Sequence, residues 1–101
     1  VNIATGTDCH WEAKGRPVGV LGEALVTEME LMVKYGMAPL DAIRAATYMS
    51  ARNLGIEDSV GTIQKGKVAD LVVINGDPLE NLSSLRRVYQ VMKEGRIVYE
   101  A

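Results

Sequence analysis

The spacing of apolar residues switches from helical to strand-like near residue 60, and that switch limits the fold of this chain more than any other feature. Leu21, Leu25, Met29, Met32 and Val33 recur at helical intervals, with Glu23, Glu30 and Lys34 elsewhere on the surface. Gly36 stands where a glycine commonly ends a helix. Pro39 suits the first turn of a second helix, where its missing N–H has no helical partner. Leu40, Ile43, Thr47, Ser50 and Leu54 mark one face of that helix, flanked by the small residues Ala42, Ala45 and Ala46, and Gly55 ends it. From Val60 the pattern becomes that of strands. "VGTIQKG" (60–66) reads as a short strand and turn, and "DLVVIN" (70–75), an apolar run bounded by turn residues, as a buried strand. "NGDP" (75–78) is a turn signal, and 79–87 a short helical or irregular connection. "VYQVMKEGRIVYE" (88–100) gives two alternating strands joined at Glu94-Gly95, a hairpin.

The first residues differ from both patterns. "VNIATGT" (1–7) reads as a strand whose two faces are small or apolar, as in a strand covered on both sides, and it ends at Asp8. "CHWEAKGRPVGV" (9–20) is polar with Gly15, Pro17 and Gly19, hence a loop. The order is therefore strand, helix, helix, then several strands, with residues 1–57 and 58–101 as two layers. A length of 101 residues suffices for one modest core, and there is no internal repeat or low-complexity tract. A net charge of −2 gives no electrostatic footprint for nucleic acid or an anionic membrane. No apolar run approaches the roughly 20 residues of a membrane helix, and no signal-peptide pattern opens the chain. One cysteine, Cys9, excludes an internal disulfide and suits a reducing compartment, so a cytoplasmic location is expected.

Asp8 is the one strong chemical candidate. An acid at the end of a buried strand, before a polar loop, is where α/β barrels place catalytic groups. A carboxylate there can bind a metal or move a proton; equally, it can cap a loop through its own backbone. If the strand continued, His10 would share a face with Asp8, but a catalytic zinc takes about three protein ligands, so a solvated loop residue is the preferred reading of His10. Cys9 beside an acid lacks electropositive activation and reads as a packing residue. Trp11 suits a pocket wall or a core edge equally. "GTIQKGK" (61–67) begins like a phosphate-binding loop, but Val68 replaces the required Ser or Thr and no helix pattern follows, so a turn is expected. Arg86-Arg87 and Lys65/Lys67 are solvated pairs rather than basic patches.

Three segments taken together carry a resemblance. They are "TGTD" (5–8), "EMELMVKYGMAPLDAIRAATYMSARNLGI" (28–56) and "VGTIQKGKVADLVVINGDPLENLSSLRRVYQVMKEGRIV" (60–98). In this order they resemble the C-terminal quarter of metal-dependent amidohydrolases, in particular the imidazolonepropionase-like and Xaa-Pro-dipeptidase-like branch. The resemblance implies an α/β fold: the last strand and helices of a distorted (β/α)8 TIM barrel, followed by the C-terminal part of a small β-sandwich (as a fragment, α+β). Residues 1–57 would be strand eight and the helices after it, and 58–101 the sandwich strands. Asp8 matches the family's strand-eight aspartate, a metal contact that takes a proton from the attacking water and returns it to the leaving group. The implied cofactor is a divalent metal, zinc, held by a longer parent and not by this chain alone. The loop "CHWEAKGRP" (9–17) departs from the small or glycine-rich sequence that relatives often carry there. Ala38 occupies a position where relatives often place a helix-capping Ser or Thr.

A start in mid-strand and a lone histidine lead to the expectation that the chain is the end of a longer enzyme acting on a small-molecule C–N substrate, inactive without the remainder of the barrel. The alternatives are a noncatalytic scaffold or oligomerisation module, and a small metal-binding protein using Asp8 and His10. Self-association through residues 1–7 or through the apolar face of the first helix is also expected, because an unpaired strand edge invites pairing.

Overall fold

The computed structural model describes residues 1–8 and 22–101, so Cys9, His10, Trp11 and the rest of the polar loop lie outside the described residues. Helix α1 runs Glu23–Lys34, α2 Pro39–Ala46 and α3 Tyr48–Asn53; strand β1 runs Leu71–Ile74, a 3₁₀ helix spans Leu82–Arg86, and β2 (Val88–Lys93) and β3 (Arg96–Glu100) close the chain.

The helix ends follow from the sequence. Past α1, Gly36 adopts φ 112°; its N–H donates to Val33 and that of Met37 to Met32. This is the reciprocal C-terminal cap that favours glycine. Pro39 opens α2 after Ala38, whose φ −68° and ψ 145° suit a cap but whose side chain supplies no oxygen. The single second helix expected over 39–54 is instead two, broken at Thr47 (φ −121°, ψ −90°). The Thr47 hydroxyl donates to the Ile43 carbonyl at 2.8 Å, a back-bond that bends helices. Its N–H tightens onto Arg44 and its carbonyl accepts from Ala51, which starts α3 afresh.

A core of Val26, Met29, Ala42 and Leu82 joins α1 and α2 to the 3₁₀ helix, with Met32, Val33, Met37, Ile43, Ala46 and Leu85 packed around it. Arg86 fastens the same junction through an ion pair with Glu30 and a 3.0 Å bond to the Thr27 hydroxyl. Arg86 is therefore a strap between layers, not the solvated residue its pairing with Arg87 suggests. On α1, Val26 and Met29 are buried, whereas Leu25 and Leu31 stay exposed.

The sheet is antiparallel in the order β1-β2-β3. Glu94 (φ 51°) and Gly95 (φ 80°) form the two-residue hairpin turn, both with positive φ. Val72, Val91 and Tyr99 make one cross-strand row, and Leu71, Met92 and Ile97 the next, with a bulge between Val91 and Met92. Both faces are thus apolar, yet Val72, Val73, Ile97, Val98 and Tyr99 are exposed; β1 is not the buried strand its apolar run suggests. Residues 60–66 form turns rather than a strand. There Gly61 (φ 100°) lies so close to α3 that a Cβ would sit 2.8 Å from that of Ala51. Among the described helices none is long and apolar enough to cross a membrane.

Candidate functional site

Residues 1–8 carry no strand in this structure. A strand is defined by its ladder, and this segment is bonded to helices instead. The Thr5 N–H donates to the Ala45 carbonyl at 3.2 Å. The hydroxyls of Thr5 and Ser50 are 3.3 Å apart, and Ser50 donates to the same Ala45 carbonyl at 2.7 Å. On α1, Glu28 Oε1 accepts the Gly6 N–H at 2.9 Å. Three helices thus hold two consecutive residues, Thr5 and Gly6, just ahead of the acid. Asp8 follows at φ 49°, exposed, with a left-handed backbone that aspartate tolerates better than most residues.

Glu28 is the residue that sequence reading missed. It is half-buried, and its Oε2 is a buried oxygen without a hydrogen-bond partner. A buried acceptor left unmatched costs about 1–3 kcal/mol, more when charged. The signal was present: Glu28 lies three residues after Leu25 and four before Met32, so it interrupts the apolar stripe of α1 with a carboxylate. Thr5 and Ser50 gave no such signal, being small residues compatible with any packed surface.

Cys9 and His10, the other candidates for this site, lie outside the described residues. Among the described residues no group of three or more His, Cys, Asp or Glu side chains comes together. With about three protein ligands needed for a catalytic zinc, the described residues do not make a metal site by themselves. The phosphate-loop look-alike is a turn, as expected: the Lys67 amine donates to the Glu57 carbonyl at 2.6 Å and to the Thr62 hydroxyl at 2.7 Å, pinning its own loop. Asp70 likewise works locally, accepting the Glu94 N–H at 2.9 Å and the Lys93 amine at 3.0 Å. The backbone donor, then the lysine, hold its carboxyl below the usual carboxylate range.

Comparison with known proteins adds the context the geometry lacks. The pattern that defines the amidohydrolase family matches residues 1–98. An imidazolonepropionase from Thermoplasma volcanium is 34% identical over 80 residues, covering 75% of this chain and 20% of that protein. The solved structure of molinate hydrolase superposes with a TM-score of 0.84 at 34% identity, over 94% of this chain and 23% of that one. That of a Xaa-Pro dipeptidase with bound methionine does so with 0.77 at 40% identity, over 83% and 20%. The chain spans about a fifth of the length of these relatives.

Proposed function

We propose a function from one premise: the chain belongs to the amidohydrolase family. It is the C-terminal part of a metal-dependent hydrolase of carbon–nitrogen bonds (amide, cyclic amide or dipeptide). Residues 1–57 complete the (β/α)8 barrel, with 1–8 as strand eight once a neighbouring strand supplies the ladder, and 58–101 are strands of a small β-sandwich. The observation that carries this reading is the match over 1–98 at only a fifth of the relatives' length. The two-sided apolar sheet supports it, because its exposed rows suit a layer completed by other strands.

Asp8 is the group this chain contributes to chemistry. As water adds to the carbonyl carbon, the Asp8 carboxylate takes one of its protons, and it returns that proton to the nitrogen as the C–N bond breaks. Asp8 is also the ligand this chain offers to a zinc-type metal. The other ligands belong to the remainder of the barrel. The metal would supply Lewis acidity at the carbonyl when bound. A cytoplasmic setting and a small-molecule substrate complete the reading.

The exposed sheet rows also favour a second reading, a noncatalytic module that self-associates. The intact mass of the protein from its natural source separates the two. A species several times the mass of 101 residues is expected, and its Asp8→Asn variant should lose turnover of an Xaa-Pro dipeptide. A species of 101 residues that sediments as a dimer or larger would favour the module.

A further inference from the structure

We propose that Glu28 is a positioning residue for Asp8, acting by reach rather than by charge; this rests on the proposed role of Asp8. The carboxylate leaves the apolar stripe of α1 and accepts the Gly6 N–H at 2.9 Å, two residues before the acid. The preceding residue, Thr5, is held by the Ala45 carbonyl at 3.2 Å and by the Ser50 hydroxyl. The two ties sit on adjacent backbone N–H groups and run to different helices, α2 and α1, so together they fix the chain just ahead of Asp8. Asp8 then leaves these ties through a left-handed residue conformation.

The unmatched oxygen tells what Glu28 is for. Its Oε2 is buried without a partner, a cost that a methionine in the same stripe would avoid while packing equally well. A carboxylate kept at such a position is explained by the one bond it makes. Glutamine would make that bond at the same reach without the buried charge. Aspartate, one methylene shorter, would keep the charge and lose the reach. A proton-transfer group must sit within hydrogen-bond distance of the atoms it serves, so releasing the Gly6 tie lets Asp8 drift from that geometry.

The experiment is a pair of conservative variants in the full-length enzyme that carries this segment, alongside Asp8→Asn, with an Xaa-Pro dipeptide and molinate as substrates. Glu28→Asp should lower kcat about 10- to 100-fold with KM within threefold, the scale of an outer residue that orients a ligand. Glu28→Gln should recover most of that loss. In the same full-length enzyme, amide exchange at Gly6 should accelerate in Glu28→Asp and return in Glu28→Gln. Wild-type kcat in Glu28→Asp overturns the inference, and so does the reverse order, with Gln impaired and Asp intact, because that pattern reads charge. Those results with a dead Asp8→Asn sink Glu28 alone. An active Asp8→Asn sinks the Asp8 assignment, and with it the catalytic meaning of the tie.

Discussion

The helical and sheet regions reach order by different means. The helices bury small residues: Ala42, Ala45 and Ala51 are between 0 and 4% exposed, and the backbones approach closely because there is so little side chain between them. The sheet closes its hydrogen bonds across β1, β2 and β3 but leaves large apolar residues open on both faces, Tyr99 and Val72 among them. Backbone satisfaction and side-chain burial are therefore separable in this chain. The helical region buries its small residues itself while leaving Leu31, Tyr35 and Leu54 open, whereas the sheet strands contain no buried residue at all. Leu82 and Arg86, on the 3₁₀ helix between β1 and β2, join the two.

The largest way to break that contrast is Gly61→Val. The added Cβ meets Ala51 at 2.8 Å and the Tyr48 Cα at 3.1 Å, at a φ of 100° that a β-branched residue resists. Strain and overpacking together should cost about 2–5 kcal/mol, read as a fall in the urea midpoint by circular dichroism. Next comes Leu82→Ala, which should cost about 2–3 kcal/mol because Leu82 is 7% exposed in the shared core. The matched change on the sheet, Ile97→Ala at 55% exposure, should cost under about 1 kcal/mol. Equal costs for the two would mean that the sheet is already covered in solution.

Much of this contrast was legible in the sequence. The 3.6-residue spacing of Leu25, Met29 and Met32, the stop at Gly36 and the start at Pro39 all correspond to observed elements. So does the Glu94-Gly95 hairpin, because turn chemistry is local. Most of what failed needed partners distant in sequence. "DLVVIN" gave the strand but not its exposure, since an apolar run states what a strand can bury and not whether a cover is present. Residues 1–8 read as a strand and lack a ladder, for the same reason. The break at Thr47 turned on one hydroxyl back-bond that periodicity does not see. For the candidate site, the sequence offers Asp8 as a candidate from its place after a small apolar run, while the ties of Thr5 and Gly6 to Ser50 and Glu28 join residues 45 and 22 positions apart and only Glu28 left a trace, as a charge in an apolar stripe.

A smaller test addresses the sheet alone, through pH. Asp70 joins the start of β1 to the hairpin turn, and its carboxyl is held low by the Glu94 N–H and then by Lys93. A depressed carboxyl contributes stability that is present above the unfolded-state value and is lost as pH falls through the folded-state value, so the hairpin should loosen below about pH 4. Lys93 is raised by the same partner; its contribution is present below the unfolded lysine value and lost as pH rises through the folded one, above about pH 10. In Asp70→Asn both dependences should flatten in the amide exchange of β2 and β3, while α1 and α2 keep theirs. A hairpin whose exchange follows pH identically in wild type and Asp70→Asn would remove Asp70 from this role.

The smallest effect sharpens the other side of the comparison. Ala38 already has the extended backbone of a helix N-cap, and its carbonyl accepts the Ala42 N–H at 3.0 Å, but its methyl group offers nothing to the free N–H groups of Leu40 and Asp41. Pro39 between them has no N–H to satisfy, so one side-chain oxygen would cover much of what α2 leaves open. Ala38→Ser should therefore stabilise the chain by about 0.5–1 kcal/mol, raising the urea midpoint without changing its slope. The gain depends on a helix end whose only deficit is a backbone partner. At Val98, the extra residue of the bulge and 62% exposed, a serine has no such deficit to fill and should leave the midpoint unchanged or lower it. A gain at both positions, or at neither, would show that the helical layer is not limited by its caps, and that the two regions differ less in how they are completed than their burial implies.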